Sequence, residues 1–231
     1  MRILGIDSSS PECSIALLEN EKILSQASGG RNSSYSDHLL KMVNGVLYKA
    51  GLALNDIDGF AVTTGPGSFT GLRVGVSLVK GFILAAEKPF VGVDTMEAMA
   101  ALASPTDFQI CPVLDARKGE VYNAIFYRRK DRLIRLSENS VAPPEKLCAK
   151  ITEPTIFLGS GLAAYRRLFS EKLGPLFEEN EENNDHSVAA SAAVLASGRF
   201  EEKNSHDLSS LKINYVRKSE AELNYIKKQQ F

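Results

Sequence analysis

The stretch TTGPGSFTGLRVG, residues 63–75, places Gly65, Gly67 and Gly71 close together and fixes Pro66 between two of them. An apolar run at 60–62 precedes it, and Leu72, Val76 and Val79 follow at helical spacing, so the order is strand, tight loop, helix. Such a loop does one of two things. It wraps a phosphate in backbone N–H groups at a helix N-terminus, or it lets two backbones pack closely. Gly65 and Gly67 admit angles closed to other residues, and Pro66 lowers the entropy lost on ordering. Ser68 or Thr70 is placed to cap the helix. Gly71 and Gly75 lie four apart, on one helical face where a second backbone could settle.

Other chemistry finds less support. Ser68 invites comparison with a nucleophile elbow, but that motif is G-x-S-x-G and this is Gly-Pro-Gly-Ser-Phe-Thr-Gly; no histidine follows before His186. The three histidines, His38, His186 and His206, form no pair at i, i+4, the spacing that puts two metal ligands on one helix face. Cys13, Cys111 and Cys148 are odd in number and far apart, which suits free thiols in a reducing compartment.

The elements that must carry these residues follow from pattern. Residues 3–6 are an apolar run ending in Asp7, a buried first strand. Residues 13–18 and 22–27 read as two more strands around a turn. Ser36 is a candidate N-cap for a helix with Leu39, Leu40, Val43, Val46, Leu47 and Ala50 in phase, ended by Gly51. After strand 60–63, the glycine loop and a helix to about Ala86 come a strand at 89–93 and a short helix capped by Thr95, reaching about Ala103. The stretch 104–107 is a seam. Beyond it the pattern restarts: run 110–114 ends in Asp115, a turn spans 117–119, and strands are expected at 121–127 and 133–136. A proline-led helix, strand 155–158, a GSG loop, a helix at 162–169, an acidic loop and a small-residue helix from Val188 complete it. Strand-Asp-turn-hairpin, then strand-glycine loop-helix, occurs twice, as internal duplication leaves it. The chain therefore reads as α/β, two lobes of mixed sheet with packed helices: 1–103, and a smaller, degenerate 104–231.

Composition sets outer bounds. The 231 residues are 44% hydrophobic and 24% charged, with 27 basic against 28 acidic side chains and a net charge of −1. That leaves no global electrostatic case for nucleic-acid binding. The start MRILGIDSSS is too short an apolar run for a signal peptide, and no uninterrupted apolar stretch suggests a membrane span, so a cytoplasmic protein is expected.

A first strand ending in Asp, a three-strand meander and a repeated lobe resemble the actin, sugar-kinase and Hsp70-like ATPase fold. Within it, ILGIDSSSPECSIAL, GPGSFTGLRVG, DARKGEVYNAIF and YVRKSEAE together resemble the TsaB (YeaZ-like) family over nearly the whole chain. That resemblance implies a subunit of the bacterial machinery that makes threonylcarbamoyladenosine in tRNA. The subunit has no efficient active site of its own, binds the catalytic paralogue TsaD through its first lobe, is joined by the ATPase TsaE, and self-associates through the same surface when alone. Nucleotide and metal belong to the partners, and tRNA is reached through the complex.

The residues are read beside that expectation. Working members of the fold carry Asp-x-Gly-Thr at the first turn, where glycine lets backbone N–H groups reach phosphate. Here Ser9 replaces the glycine, and Arg117 stands in the second turn where something small is wanted. Asp7, Ser9, Gly65, Gly67, Asp115 and Arg117 thus outline a degenerate nucleotide site. Arg117 would recognise an anion, or cap its turn, or pair with Glu120 or Asp115. The expected partner face is Leu39, Leu40, Val43, Val46 and Leu47 with Gly71, Leu72, Gly75, Val76, Val79 and Phe82, because both helices are apolar over more than one stripe. Two rivals remain. One is a stand-alone ATP-dependent small-molecule phosphotransferase, with Asp7 and Asp115 holding metal and acting as base. The other is a tRNA-binding module using Arg128, Arg129, Lys130 and Arg132.

Overall fold

The computed structural model describes residues 1–30, 35–130, 132–180, 187–200 and 207–217. Its first sheet is ordered β3-β2-β1-β4-β5, from β1 (Arg2–Asp7), β2 (Glu12–Glu19), β3 (Lys22–Gly30), β4 (Gly59–Thr63) and β5 (Phe90–Val93). The meander β1-β2-β3 is antiparallel; β1, β4 and β5 run parallel. Alternation along β1 explains the layering. Leu4 and Ile6 join a core with Leu39, Val43 and Val46 of α1 (Tyr35–Ala50) and with Val76, Val79 and Ile83 of α2 (Phe69–Ala86), while Ile3 points into a core on the opposite face.

The second lobe repeats the plan. Its strands are β6 (Gln109–Asp115), β7 (Val121–Asn123), β8 (Phe126–Arg129), β9 (Arg132–Arg135), β10 (Ser140–Ala142), β11 (Thr155–Leu158) and β12 (Phe177–Glu179). They form the path β10-β7-β6-β11-β12, with β8 also paired to β6 and β9 added to β8. The strand expected over 121–127 is broken: Ala124 and Ile125 interrupt it, and each hairpin arm becomes two short strands. Helices α4 (Pro144–Cys148) and α5 (Ser160–Leu173) contribute Leu147, Leu162 and Phe169 to one core. A short strand, β12, begins the stretch read as an acidic loop; residues 181–186, including His186, lie outside the described residues, as does His206.

The third helix of each repeat joins the lobes. In α3 (Thr95–Ala100), Met96 and Met99 pack with Ile110, Leu114 and Phe126 of the second lobe. In α6 (Val188–Ser197), Ala189, Ala192, Ala193 and Ala196 pack on Ile3, Ala16 and Ala61 of the first. Alanines let a helix lie close to the sheet, and the Ala189 N–H donates to Ser14 Oγ at 3.1 Å. The expected division at residue 104 is thereby corrected. Helix α6, with Leu208, Leu211 and Ile213 beyond it, packs with the first lobe, because the faces of β1, β2 and β4 need a cover that residues 1–103 do not supply.

The cap of α3 is Asp94 rather than Thr95, and the helix closes at Ala100, not 103. The Asp94 carboxylate accepts from Glu97 N at 3.0 Å and from Arg135 at 2.8 Å, and Asn139 also donates to it. Arg128 closes the other end, donating to the carbonyls of Ala101 and Ala103 at 3.1 and 3.2 Å. It is therefore tied to the junction between the lobes and is not part of a free basic turn; Arg129, Lys130 and Arg132 stay exposed.

Candidate functional site

The glycine loop meets the first turn directly. The Ser68 N–H donates to the Ser9 carbonyl at 2.6 Å, and Ser8 Oγ donates to the Gly71 carbonyl at 2.9 Å. A Cβ added at Gly67 would stand 2.3 Å from the Ser9 carbonyl oxygen, and one at Gly71 would stand 2.1 Å from that of Ser8. Of the two uses the sequence left open for these glycines, close backbone packing is present here. Ser68 caps α2 by accepting from Gly71 N at 3.2 Å. Gly65 is buried, and its carbonyl accepts from Thr95 N at 2.9 Å.

Asp7 lies beneath this contact at 2% exposure. One of its oxygens accepts from Thr63 Oγ1 at 2.7 Å and from Ser9 N at 3.1 Å. Burial pushes its carboxyl above the ordinary range, and those two hydrogen bonds oppose the push without cancelling it. Asp7 is thus enclosed, with one carboxylate oxygen engaged by strand β4 and by its own turn.

Asp115 and Arg117 form a separate turn in the second lobe. Asp115 accepts from Arg117 N at 2.8 Å, while Arg117 and Lys118 hold positive φ angles of 63° and 56°. Arg117 stays exposed and does not pair with Glu120. The partner of Glu120 is Arg217, which also donates to the Ala116 carbonyl at 2.8 Å. Tyr215 is likewise an unforeseen neighbour: its ring lies 5.2 Å from that of Phe69, and its hydroxyl accepts from Arg73 at 2.9 Å. Tyr215 and Arg217 both belong to the stretch YVRKSEAE, whose pattern carries no sign of their partners. Among the described residues no group of three or more His, Cys, Asp or Glu side chains gathers to hold a metal. His38 sits near the start of α1 with Nε2 buried and unpartnered.

The expected partner face is largely corrected. Leu39, Val43, Val46, Leu47, Leu72, Val76 and Val79 are each at most 6% exposed, and Gly71 and Gly75 are buried against Ser8. A helix seated on a sheet spends its best-aligned apolar stripe on its own core, so these residues face inward. Phe82 is half-buried, with its ring 5.8 Å from that of Phe60. The exposed large apolar side chains of the two helices are Leu40 at 42%, Tyr48 at 86%, Phe69 at 38% and Leu84 at 71% exposure. Gly45 and Gly81 lie on the same outward sides, with nothing within 4 Å of a would-be Cβ. By length and composition α2 is apolar enough to cross a membrane, but it contacts α1 and lies on the first core.

Residues 21–225 match the family described as "TsaD: tRNA N6-adenosine threonylcarbamoyltransferase". The tRNA threonylcarbamoyladenosine biosynthesis protein TsaB of Escherichia coli is 33% identical over 74% of this chain and 76% of its own length. The chain belongs to the TsaB family. The Bacillus subtilis member is 27% identical and spans 99% of this chain and all of its own. A solved Pseudomonas aeruginosa protein, described as uncharacterized with similarity to peptidase YeaZ, superposes with a TM-score of 0.76 at 24% identity, covering 94% of this chain and 99% of its own. The fold extends further: a ROK hexokinase from Thermus thermophilus superposes at 0.50 with 11% identity, over 84% of this chain and 98% of its own. Family membership and the two-lobed kinase-like architecture agree with the duplicated strand order.

Proposed function

We propose that this chain is a cytoplasmic, non-catalytic subunit in the biosynthesis of tRNA threonylcarbamoyladenosine. It binds and supports the catalytic paralogue TsaD, which adds threonylcarbamoyl to adenosine 37 of tRNAs reading codons that start with A, with TsaE as the ATPase of the assembly. ATP and metal are used by the partners, tRNA is met through the complex, and a second copy of this chain occupies the same face in their absence.

One observation carries this reading: two neighbouring helices keep large apolar side chains, Leu40, Tyr48 and Leu84, on their outward sides after their own core is filled. Gly45 and Gly81 add to it. A glycine inside a helix costs roughly 1 kcal/mol against alanine, and neither has an intrachain neighbour that requires it. A second helix approaching closely supplies the reason. A standard interface covers ~800 Å² per partner. If half of that is apolar, ~25 cal/mol per Å² gives about 10 kcal/mol gross, on the scale of the roughly 4–15 kcal/mol that association costs.

The phosphotransferase reading is disfavoured by the covered Asp7. Reconstitution tests the choice. With threonylcarbamoyl-adenylate as donor, ATP and divalent metal present, purified catalytic paralogue, ATPase and tRNA should incorporate threonylcarbamoyl, with release of AMP, only when this chain is added, and the chain alone should hydrolyse no ATP above the buffer rate. Turnover by the isolated chain would overturn the proposal.

A further inference from the structure

Residues 208–217 run from the first lobe to the second. Leu211 is buried in the first core. The Asn214 N–H donates to the Thr64 carbonyl at 2.7 Å, at the entry to the glycine loop. Tyr215 then lies against Phe69, the first residue of α2, and accepts from Arg73, whose guanidinium is 3.8 Å from the Phe69 ring centroid. Two residues later Arg217 reaches the Asp115–Glu120 turn, through the Ala116 carbonyl and the ion pair with Glu120. Both members of that pair are mostly buried, with side chains 23% and 33% exposed. The turn it grips keeps Arg117 and Lys118 in a left-handed region that side chains disfavour.

We propose that residues 211–217 are a latch between the lobes, anchored on the glycine loop by Asn214 and Tyr215 and on the second-lobe turn by Arg217. Arg217 follows Tyr215 by two positions and Asn214 by three, a tether of at most about 10 Å at full extension. The lobes cannot part at this edge beyond the tether's slack without breaking one anchor. The helices α3 and α6 already join the lobes elsewhere, so the latch fixes their angle rather than their attachment. It also couples the start of α2 to a turn in the other lobe. This proposal stands apart from the reading of the chain as a subunit, since it concerns the chain by itself.

Hydrogen exchange of the full chain, read by mass spectrometry, tests it through effects that cross from lobe to lobe. Arg217→Ala should speed exchange about tenfold, the size expected for losing a charge-assisted hydrogen bond, in the 115–120 turn and also in the 63–73 loop. Tyr215→Ala, altered on the first lobe, should release the 115–120 turn. Glu120→Gln keeps side-chain volume and should reproduce the Arg217→Ala pattern if that variant folds poorly. Effects confined to the lobe nearest each substitution, or no change at all, would overturn the latch and leave two local contacts.

Discussion

The amide of Ser68 donates to the carbonyl of Ser9 across 2.6 Å, so the glycine loop rests on the first turn of the sheet. The Ser68 amide, and the Gly71 amide through the Ser68 cap, are committed inside the chain. Ser9 in place of a glycine is compatible with this arrangement, because the turn presents its carbonyl to the loop rather than its N–H groups to a ligand.

Gly71→Ala tests that contact. Its Cβ would press on the Ser8 carbonyl, a backbone atom with little room to yield. A loss of about 1–3 kcal/mol is expected, read as a lower urea midpoint with unchanged slope. Gly51→Ala is no suitable control, because its φ of 68° brings strain of its own; Gly45→Ala, in open space, should not lose stability.

Asp7→Asn should stabilise the chain near neutral pH. The folded-state carboxyl of Asp7 has a raised pKa, so the folded state holds its proton more tightly than the unfolded state. Stability from this group is therefore complete below the ordinary carboxylate pKa of about 3.9 and is lost as pH rises through the folded value. Asparagine carries no such loss, and its carbonyl oxygen still accepts from Thr63 and Ser9. Thermal melts from pH 3 to 8 should show the variant's advantage growing with pH; an advantage that shrinks with pH would reverse the assignment.

Gly81→Ala separates folding from pairing. The isolated chain should gain up to about 1 kcal/mol from helix propensity, while a new methyl on the outward side of α2 should weaken association with a partner. Parallel melts and binding titrations check both signs.

The duplicated order was legible in the sequence because a first strand ending in aspartate and a glycine loop before a helix are local patterns, and they occur at Asp7 and Gly65 and again at Asp115 and Gly159. The partner face was misread for a physical reason. Apolar residues at helical spacing report that a side of α2 is buried, not by what, and Val76 and Val79 serve the chain's own core. The residues on which the proposed pairing rests lie out of phase with that stripe: Tyr48 and Leu84, which are exposed, and Gly45 and Gly81, which have no core role. The return of α6 and of residues 208–215 to the first lobe had no local trace. It depends on which sheet face lacked a cover, a tertiary fact. Arg217 was invisible for the same reason, since its partner Glu120 lies 97 positions away.

The most direct test of the outward face is the mass of the complex formed with the catalytic paralogue from the same organism, measured for the native chain and for Leu84→Arg. Leu84 is 71% exposed, so the variant should remain folded; Val79→Arg, at a fully buried position, should instead lose more than about 4 kcal/mol and unfold the lobe. The account predicts a stable heteromer with the native chain and free, folded subunits with Leu84→Arg. A native chain that forms no complex, or one that survives charge at Leu40, Tyr48 and Leu84 alike, would contradict it.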